Sequence, residues 1–189
     1  MIKDFKFKLY FRKSSFKKDL ISAKILFEQI EYYKPKKFLE VGVFQGVTSR
    51  NVCEKLNLIY KNKFNYYGVD IFEDADSLLD NKEMTSKHNK ISNPLKHFLY
   101  NIIFKENLNS LKSVTQLLSK FDNNINLYKG LSGEILPKIN MSEIDFVFLD
   151  GGHSYETVKN DLFLILKHIQ KNKIIICDDY DQKNYGVKK

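Results

Sequence analysis

The sequence is poor in the residues that mark several common classes of protein. It has no tryptophan, two cysteines, three prolines and eight glycines in 189 residues. So few glycines and prolines exclude collagen-like chains and flexible linkers. The cysteines, Cys53 and Cys177, stand in apolar surroundings without the spacing of a zinc site or a disulfide framework, so we interpret both as buried thiols.

Long apolar runs are also missing. The stretches Phe98–Phe104 and Phe146–Leu149 are far shorter than the roughly 20 residues that a membrane-spanning helix needs. The first twenty residues mix lysine and arginine with Phe, Leu and Tyr, and they contain no apolar core of a signal peptide. We therefore expect a cytoplasmic protein without a membrane partner.

The chain nevertheless has ample material for a folded core. Hydrophobic residues make up 43% of it and aromatic residues 14%, which excludes a wholly disordered chain. The formal net charge is +8, and basic residues are densest between Lys3 and Lys18. Because no aromatic-interleaved basic motif accompanies them, we interpret these charges as solvated surface and do not expect a nucleic-acid partner. We assign residues 1–35 to a basic segment with a helix and residues 36–189 to one larger domain.

Hydrophobic periodicity predicts strands that alternate with helices. A first helix is predicted between Asp19, as its N-cap, and Pro35, and further helices are predicted at 47–60 and around 158–169. Short apolar runs predict five strands, at 37–42, 66–70, 124–130, 144–150 and 173–178. A long insertion at 71–123 holds a polar piece, 73–90, and predicted helices at 94–104 and 108–121. This order predicts a doubly wound α/β fold with a mainly parallel sheet.

The first two strands end in residues suited to a nucleoside. Glu40, Gly42 and Gly46 surround the turn after the first strand, but a dinucleotide fingerprint would also need glycines at Phe44 and Val47. The pattern therefore excludes a dehydrogenase, and it indicates either a ligand loop or an ordinary strand-to-helix turn. Asp70 ends the second strand, where a carboxylate can accept ribose hydroxyls. Together these residues indicate a nucleoside without a pyrophosphate, such as S-adenosylmethionine.

Acidic residues and one histidine follow the last two strands. Asp150 ends the fourth strand, and Asp178 and Asp179 end the fifth. If the three carboxylates converge, a divalent ion such as Mg²⁺ would relieve their repulsion; alternatively, Asp178 and Asp179 cap the following turn. A histidine side chain ordinarily titrates near neutrality, so His153 is a candidate general base.

These motifs resemble the class I S-adenosylmethionine-dependent methyltransferases, in particular a branch with an Asp-Gly-x-His-x-Tyr signature related to macrolide and sugar O-methyltransferases. The resemblance covers about 36–185 and rests on Glu40-x-Gly42-x-x-x-Gly46, Asp70, Gly130-x-Ser132, Asp150-Gly-Gly-His153-Ser-Tyr155 and Asp178-Asp179-Tyr180. It implies a Rossmann-like methyltransferase fold that lacks the family's last two strands. It also implies roles for individual residues: cofactor binding by Glu40, Gly42, Gly46, Asp70, Ile71 and Ser132; Mg²⁺ binding by Asp150, Asp178 and Asp179; and catalysis by His153, as general base, together with Asp150.

From this resemblance we expect methylation of an oxygen on a small hydroxylated acceptor, such as a sugar or a glycosylated metabolite, with or without a divalent metal. Two alternatives stay open. An RNA-directed methyltransferase would suit the charge, but Asp150-Gly-Gly-His153 lacks the Pro-Pro-aromatic sequence typical of base-amine methylation. A non-catalytic cofactor-binding module would suit the missing strands. An uncovered fifth strand also leaves a homo-oligomer open.

Overall fold

Five parallel strands form the centre of the molecule. The structure is a computed structural model, and it describes residues 6–17, 20–72 and 107–180 together with the single positions 95, 98 and 99. The strands are β1 (Lys37–Val41), β2 (Asn65–Asp70), β3 (Ile125–Lys129), β4 (Phe146–Leu149) and β5 (Ile174–Cys177). Their order in the sheet is β3-β2-β1-β4-β5, and all pairs are parallel. The five predicted strands and the doubly wound fold are thus confirmed.

Helices connect the strands. The described α-helices are α1 (Leu20–Tyr33), α2 (Val47–Tyr60), α3 (Leu111–Leu118), α4 (Ser132–Ile135) and α5 (Tyr155–His168). They confirm the helices predicted before β1, after β1, before β3 and between β4 and β5. The predicted cap Asp19, the polar piece 73–90 and the predicted helix 94–104 lie outside the described residues, apart from positions 95, 98 and 99. Among the described helices, none has both the length and the apolar character needed to cross a membrane.

The strands bury apolar side chains on both faces of the sheet, as their continuous apolar sequences predict. On one face Phe38 lies in the centre of an aromatic layer, with ring centroids 5.1 Å from Phe146 and 6.2 Å from Tyr66. Leu39 belongs to the core on the other face, together with Ile165 of α5. Because both faces are covered, ligands can approach the sheet only at the ends of its strands.

The described part of the N-terminal segment shares the core of the sheet. Phe16 is 2% exposed, and its ring centroid lies 5.9 Å from that of Phe148 on β4. Phe7 packs against both Phe16 and Phe27 of α1 at centroid distances of 5.9 Å. Residues 6–17 are therefore held against the domain by aromatic packing.

Candidate functional site

The carboxyl ends of the strands form one continuous edge. The order of the strands reverses between β1 and β4, and in doubly wound folds ligands bind outside the strand ends at such a reversal. Backbone hydrogen bonds of 2.8–2.9 Å join each strand end to its neighbour: Gly130 N to Asp70 O, Gly42 N to Val69 O, Asp150 N to Val41 O, and Asp178 N to Leu149 O. The predicted site residues at the ends of all five strands thus lie along this edge.

The loop between β1 and α2, residues 42–46, is here called the first loop. Backbone packing requires two of its residues to be glycine. Gly42 has φ +94°, and a Cβ atom there would lie 2.1 Å from the carbonyl oxygen of Asp150. Gly46 has φ +73°, and its Cβ would lie 3.0 Å from Val114 Cγ1 of α3. Both conformations are rare for residues with a side chain. The contact at Gly42 brings the loop after β1 directly against the loop after β4.

Asp70 shapes the two loops around it. Its Oδ2 accepts a hydrogen bond from Phe44 N at 2.7 Å, and its Oδ1 accepts one from Phe72 N at 2.6 Å. Phe44 has φ +51°, a left-handed conformation that is unfavourable for a phenylalanine. The Asp70 carboxylate therefore supports a strained position in the first loop, and Ile71 is half-buried beside it.

Glu40 lies beneath the first loop, inside the core. It is 0% exposed, and its Oε2 accepts a hydrogen bond from Tyr66 Oη at 2.5 Å. Its Oε1 has no hydrogen-bond partner among the described residues. Burial, together with the negative charge of Asp70, raises the pKa of Glu40 to about 8, while the hydrogen bond from Tyr66 opposes the shift. A carboxyl group with an unsatisfied buried oxygen stands behind the loop.

Ser132 lies at the start of α4, immediately beyond the turn that follows β3. The turn is fixed to the end of β2 because Gly130 N donates to Asp70 O at 2.9 Å. Ser132 itself is half-buried. The structure thus places Ser132 just beyond the turn that is bonded to Asp70.

A pocket at the other half of the edge gathers the predicted catalytic residues. It is lined by Leu149, Asp150, Gly151, Gly152, His153, Val158, Asp161, Cys177, Asp178 and Asp179. Burial raises the pKa of Asp150 well above its ordinary value, and the charges of Asp178 and Asp179 add to the effect. All three acids line the same pocket.

Asp161 is the pocket residue that the sequence analysis missed. It is 3% exposed on α5, between Val158 and Ile165 of the apolar face. A buried aspartate has to be compensated by its surroundings. The signal that could have found it is an acid within an apolar helical stripe.

His153 lies against Asp179 in this pocket. Its Nδ1 is 3.3 Å from Asp179 Oδ2, and the two side chains are 19% and 23% exposed. The other predicted catalytic residue, Asp150, accepts a hydrogen bond at Oδ2 from Ser15 Oγ at 3.1 Å. The structure therefore pairs the predicted base with an acid that the sequence analysis assigned to a metal.

The residues do not meet the requirement of a metal site in this arrangement. Over the described ranges, no three His, Cys, Asp or Glu side chains are placed so that they could share a metal ion. The predicted set of Asp150, Asp178 and Asp179 lines one pocket without forming such a group.

Solved structures share this fold at low sequence identity. An O-methyltransferase from Bacillus cereus, solved in complex with SAH, matches with 14% identity and a TM-score of 0.56, over 86% of this chain and 58% of that one. A second match is the O-methyltransferase TomG from Streptomyces achromogenes, which is involved in tomaymycin synthesis and was solved with SAM. It has 15% identity and a TM-score of 0.55, over 88% of this chain and 63% of TomG. CalS11, a calicheamicin methyltransferase, matches with 19% identity and a TM-score of 0.56, over 90% of this chain and 68% of CalS11.

The chain is shorter than these proteins. In five of the similar structures it spans only 51–58% of the other chain's length. Comparison with curated protein sequences finds no match. The model of a family described as a methyltransferase domain, however, matches residues 39–180, well over half of the 189 residues. The matched region runs from β1 to the residue after Asp179, and the chain belongs to this methyltransferase domain family.

Proposed function

We propose that this protein transfers a methyl group from S-adenosylmethionine to a hydroxyl group of a small acceptor. One observation carries the proposal: the first loop and the acidic pocket lie side by side and touch where Gly42 meets the Asp150 carbonyl. A methyl donor held at the loop would therefore be next to an acceptor held in the pocket. Membership of the methyltransferase domain family supports this assignment.

The residues at the ends of β1, β2 and β3 fit this cofactor. Binding of the cationic methionine end would favour ionisation of the buried Glu40 carboxyl behind the loop, whose Oε1 has no hydrogen-bond partner among the described residues. Asp70 at the end of β2 would bind the ribose, as carboxylates do at this position of doubly wound folds. Ile71 and Ser132, which flank Asp70 on two loops, would contact the adenine.

Bound S-adenosylmethionine supplies an electrophilic methyl group on sulfur. The protein has to align the acceptor oxygen with that methyl group and remove the hydroxyl proton. We assign proton removal to His153 at Nε2, because Nδ1 faces Asp179 at 3.3 Å. Asp179 would hold the imidazole in the required orientation and stabilise its protonated form. Asp150 would contact the acceptor from the floor of the pocket.

The acceptor is proposed to be a sugar or a glycosylated metabolite. The carboxylates of Asp150 and Asp161 and the backbone of Gly151 and Gly152 line the pocket. Such groups accept hydrogen bonds from the several hydroxyls that a sugar carries. TomG is an O-methyltransferase involved in tomaymycin synthesis and CalS11 is a calicheamicin methyltransferase, which supports a small-molecule acceptor.

Calorimetric titration with S-adenosylhomocysteine tests the cofactor site without requiring an acceptor. The unmodified protein should bind, and Asp70→Ala should weaken binding at least tenfold because it removes the acid at the ribose position. Asp70→Asn should fall between them, since an amide oxygen can still accept a hydrogen bond. Asp122→Ala, at an exposed position before β3, is the matched control and should bind like the unmodified chain. Absence of binding by the unmodified protein would refute the proposal.

Turnover decides between an enzyme and a binding module. A panel of sugars, glycosides and phenols would be incubated with S-adenosylmethionine, and release of S-adenosylhomocysteine would be measured with MgCl2 and with EDTA. We expect turnover on at least one hydroxylated acceptor. Cofactor binding with no turnover on the whole panel would favour the non-catalytic module. Turnover that EDTA abolishes and Mg²⁺ restores would support the magnesium prediction, and turnover indifferent to both would refute it.

A further inference from the structure

Residues 12–16, here called the strap, cross the edge of the sheet from the first loop to the acidic pocket. Lys13 N donates to Gln45 Oε1 at 2.8 Å, and Gln45 belongs to the loop between Gly42 and Gly46. Ser15 Oγ donates to Asp150 Oδ2 at 3.1 Å. Phe16 then enters the core beside β4. The strap thus touches both halves of the proposed site.

Arg12 connects the strap to three parts of the chain. Its Nη1 donates to the carbonyl oxygens of Gln45 at 3.1 Å and Leu108 at 3.0 Å. Its Nη2 donates to Ser113 O at 3.0 Å and to Ser113 Oγ at 2.9 Å. Four hydrogen bonds from one planar group fix the relative positions of the first loop and α3, because the guanidinium fork is rigid.

The turn before the strap is strained. Tyr10 and Phe11 have φ values of +48° and +58°, and Arg12 N donates to Leu9 O at 2.8 Å across them. Consecutive left-handed residues are typical of turns built from Asn and Gly, so a Tyr-Phe pair is unfavourable there. Such a turn persists only while its surroundings hold it, and the bonds of Arg12 to Gln45 and Ser113 contribute to that support.

We propose that the strap closes over the cofactor loop, that bound cofactor and closed strap stabilise each other, and that Arg12 is the positioning residue that couples them. The proposal rests on the proposed function, because it takes the Gly42–Gly46 loop as the cofactor loop. The coupling follows from the contacts: opening the strap breaks two hydrogen bonds to Gln45, so a ligand that orders this loop must oppose the opening.

Amide hydrogen exchange of the unmodified protein tests the coupling. The Lys13 amide is bonded to the side chain of Gln45, so it exchanges only when the strap opens. S-adenosylhomocysteine at one hundred times its measured dissociation constant should slow this exchange by up to about 100-fold if opening requires an empty site. The Lys8 amide is the internal control: it donates to Asn51 Oδ1 on α2 at 2.9 Å and not to a residue of the loop, and its exchange should change less than threefold.

Two variants separate the hydrogen-bonding geometry of Arg12 from its charge. Arg12→Lys keeps the charge and removes the fork, so we expect S-adenosylhomocysteine to bind about tenfold more weakly and the Lys13 amide to exchange faster without ligand. Lys6→Ala removes one positive charge from an exposed position of the N-terminal segment outside the strap, so its affinity should stay within twofold. A circular-dichroism melt would establish that each variant is folded.

The outcomes distinguish the strap from the cofactor site. Binding of S-adenosylhomocysteine with unchanged or faster exchange of the Lys13 amide would refute the strap proposal and leave the proposed function intact. Equal slowing of the Lys8 and Lys13 amides would show general stabilisation and would also refute it. No binding would refute the proposed function, and the strap proposal with it. Because exchange is measured on the unmodified chain, a variant that fails to fold does not remove the test.

Discussion

The two halves of the edge are built differently. In the β1–β2 half, side chains are used to hold backbone: Asp70 accepts from two loop amides, and Gly42 and Gly46 allow close approach. In the β4–β5 half, side chains face one another: His153 lies against Asp179, and Asp150 shares a pocket with Asp178 and Asp179, where burial and their charges raise its pKa. The first arrangement suits a ligand that must be held in one orientation, and the second suits a proton transfer.

The largest expected effect separates the halves by function. His153→Ala should lower kcat by about 10²–10⁴-fold, the usual contribution of a general base, with unchanged affinity for S-adenosylhomocysteine. Asp179→Asn should lower kcat less and shift the acidic limb of the pH profile, because the imidazole loses its acidic partner. Initial rates would be measured on the acceptor that the panel identifies, and affinity for S-adenosylhomocysteine would be measured by calorimetry. Both would be compared between each variant and the unmodified protein. A His153→Ala enzyme with normal kcat would contradict the assignment of proton transfer to the β4–β5 half.

The contact between the halves should be intolerant of one added carbon atom. Gly42→Ala places a Cβ 2.1 Å from the backbone oxygen of Asp150 at φ +94°, so we expect a loss of about 3 kcal/mol or more in the free energy of unfolding. For a domain of this size that corresponds to roughly a 10 °C lower Tm. Gly133→Ala is the control, because its Cβ would meet only the side-chain Nδ2 of Asn160, at 3.2 Å. Equal Tm values for the two variants would contradict the close contact.

The buried Glu40 should make stability fall with rising pH. Its pKa of about 8 lies above the ordinary 4.5, so the protonated form stabilises the fold at low pH, and this contribution is lost as the pH rises from 4.5 towards 8. Glu40→Gln cannot ionise, so its free energy of unfolding should exceed that of the unmodified chain by about 4 kcal/mol at pH 8 and match it near pH 4. Denaturant unfolding at both pH values measures this.

Glu28→Gln is the control for Glu40→Gln. Its side chain is 61% exposed on α1 beside Lys24, so the substitution should leave the pH dependence unchanged. If Glu40→Gln gains nothing at pH 8, the buried carboxyl is compensated by a cation in the unmodified chain, and the stated cause of the shift is wrong.

The smallest expected effect compares one helix cap from each half. Ser110 Oγ accepts from Ser113 N at the start of α3, and Ser154 Oγ accepts from Thr157 N at the start of α5. Replacing either serine with alanine should lower the free energy of unfolding by about 1 kcal/mol. Ser154→Ala should in addition lower kcat, because Ser154 follows His153 directly. Equal kcat in both variants would show that the cap does not position the base.

The fold could be predicted well because its signals are local. Each buried strand is a short apolar run that ends at Gly42, Asp70 or Asp150, and each helix repeats apolar residues at helical spacing. Parallel strands separated by helices leave few arrangements, so the doubly wound sheet followed from the order of elements. The strand ends were predicted for the same reason, and with them the shared edge.

The contacts of the site residues could not be predicted in the same way. The strap contact between Ser15 and Asp150 spans 135 positions of sequence, and the pairing of Asp179 with His153 spans 26. Asp161 was missed because its helical register resembles that of a core position. Such pairings depend on side-chain directions and on packing between distant segments, which periodicity does not encode.

The sequence by itself determined which residue types stand at each strand end, because strand length, turn glycines and helix periods are local properties of the chain. Only the tertiary structure decided what those residues touch. It placed Glu40 in the core, where loss of water raises its pKa to about 8, and it brought residues 12–16 across the edge onto Gln45 and Asp150. Burial and long-range contact arise only when the sheet, the helices and the N-terminal segment pack together, so their electrostatic consequences belong to the folded protein.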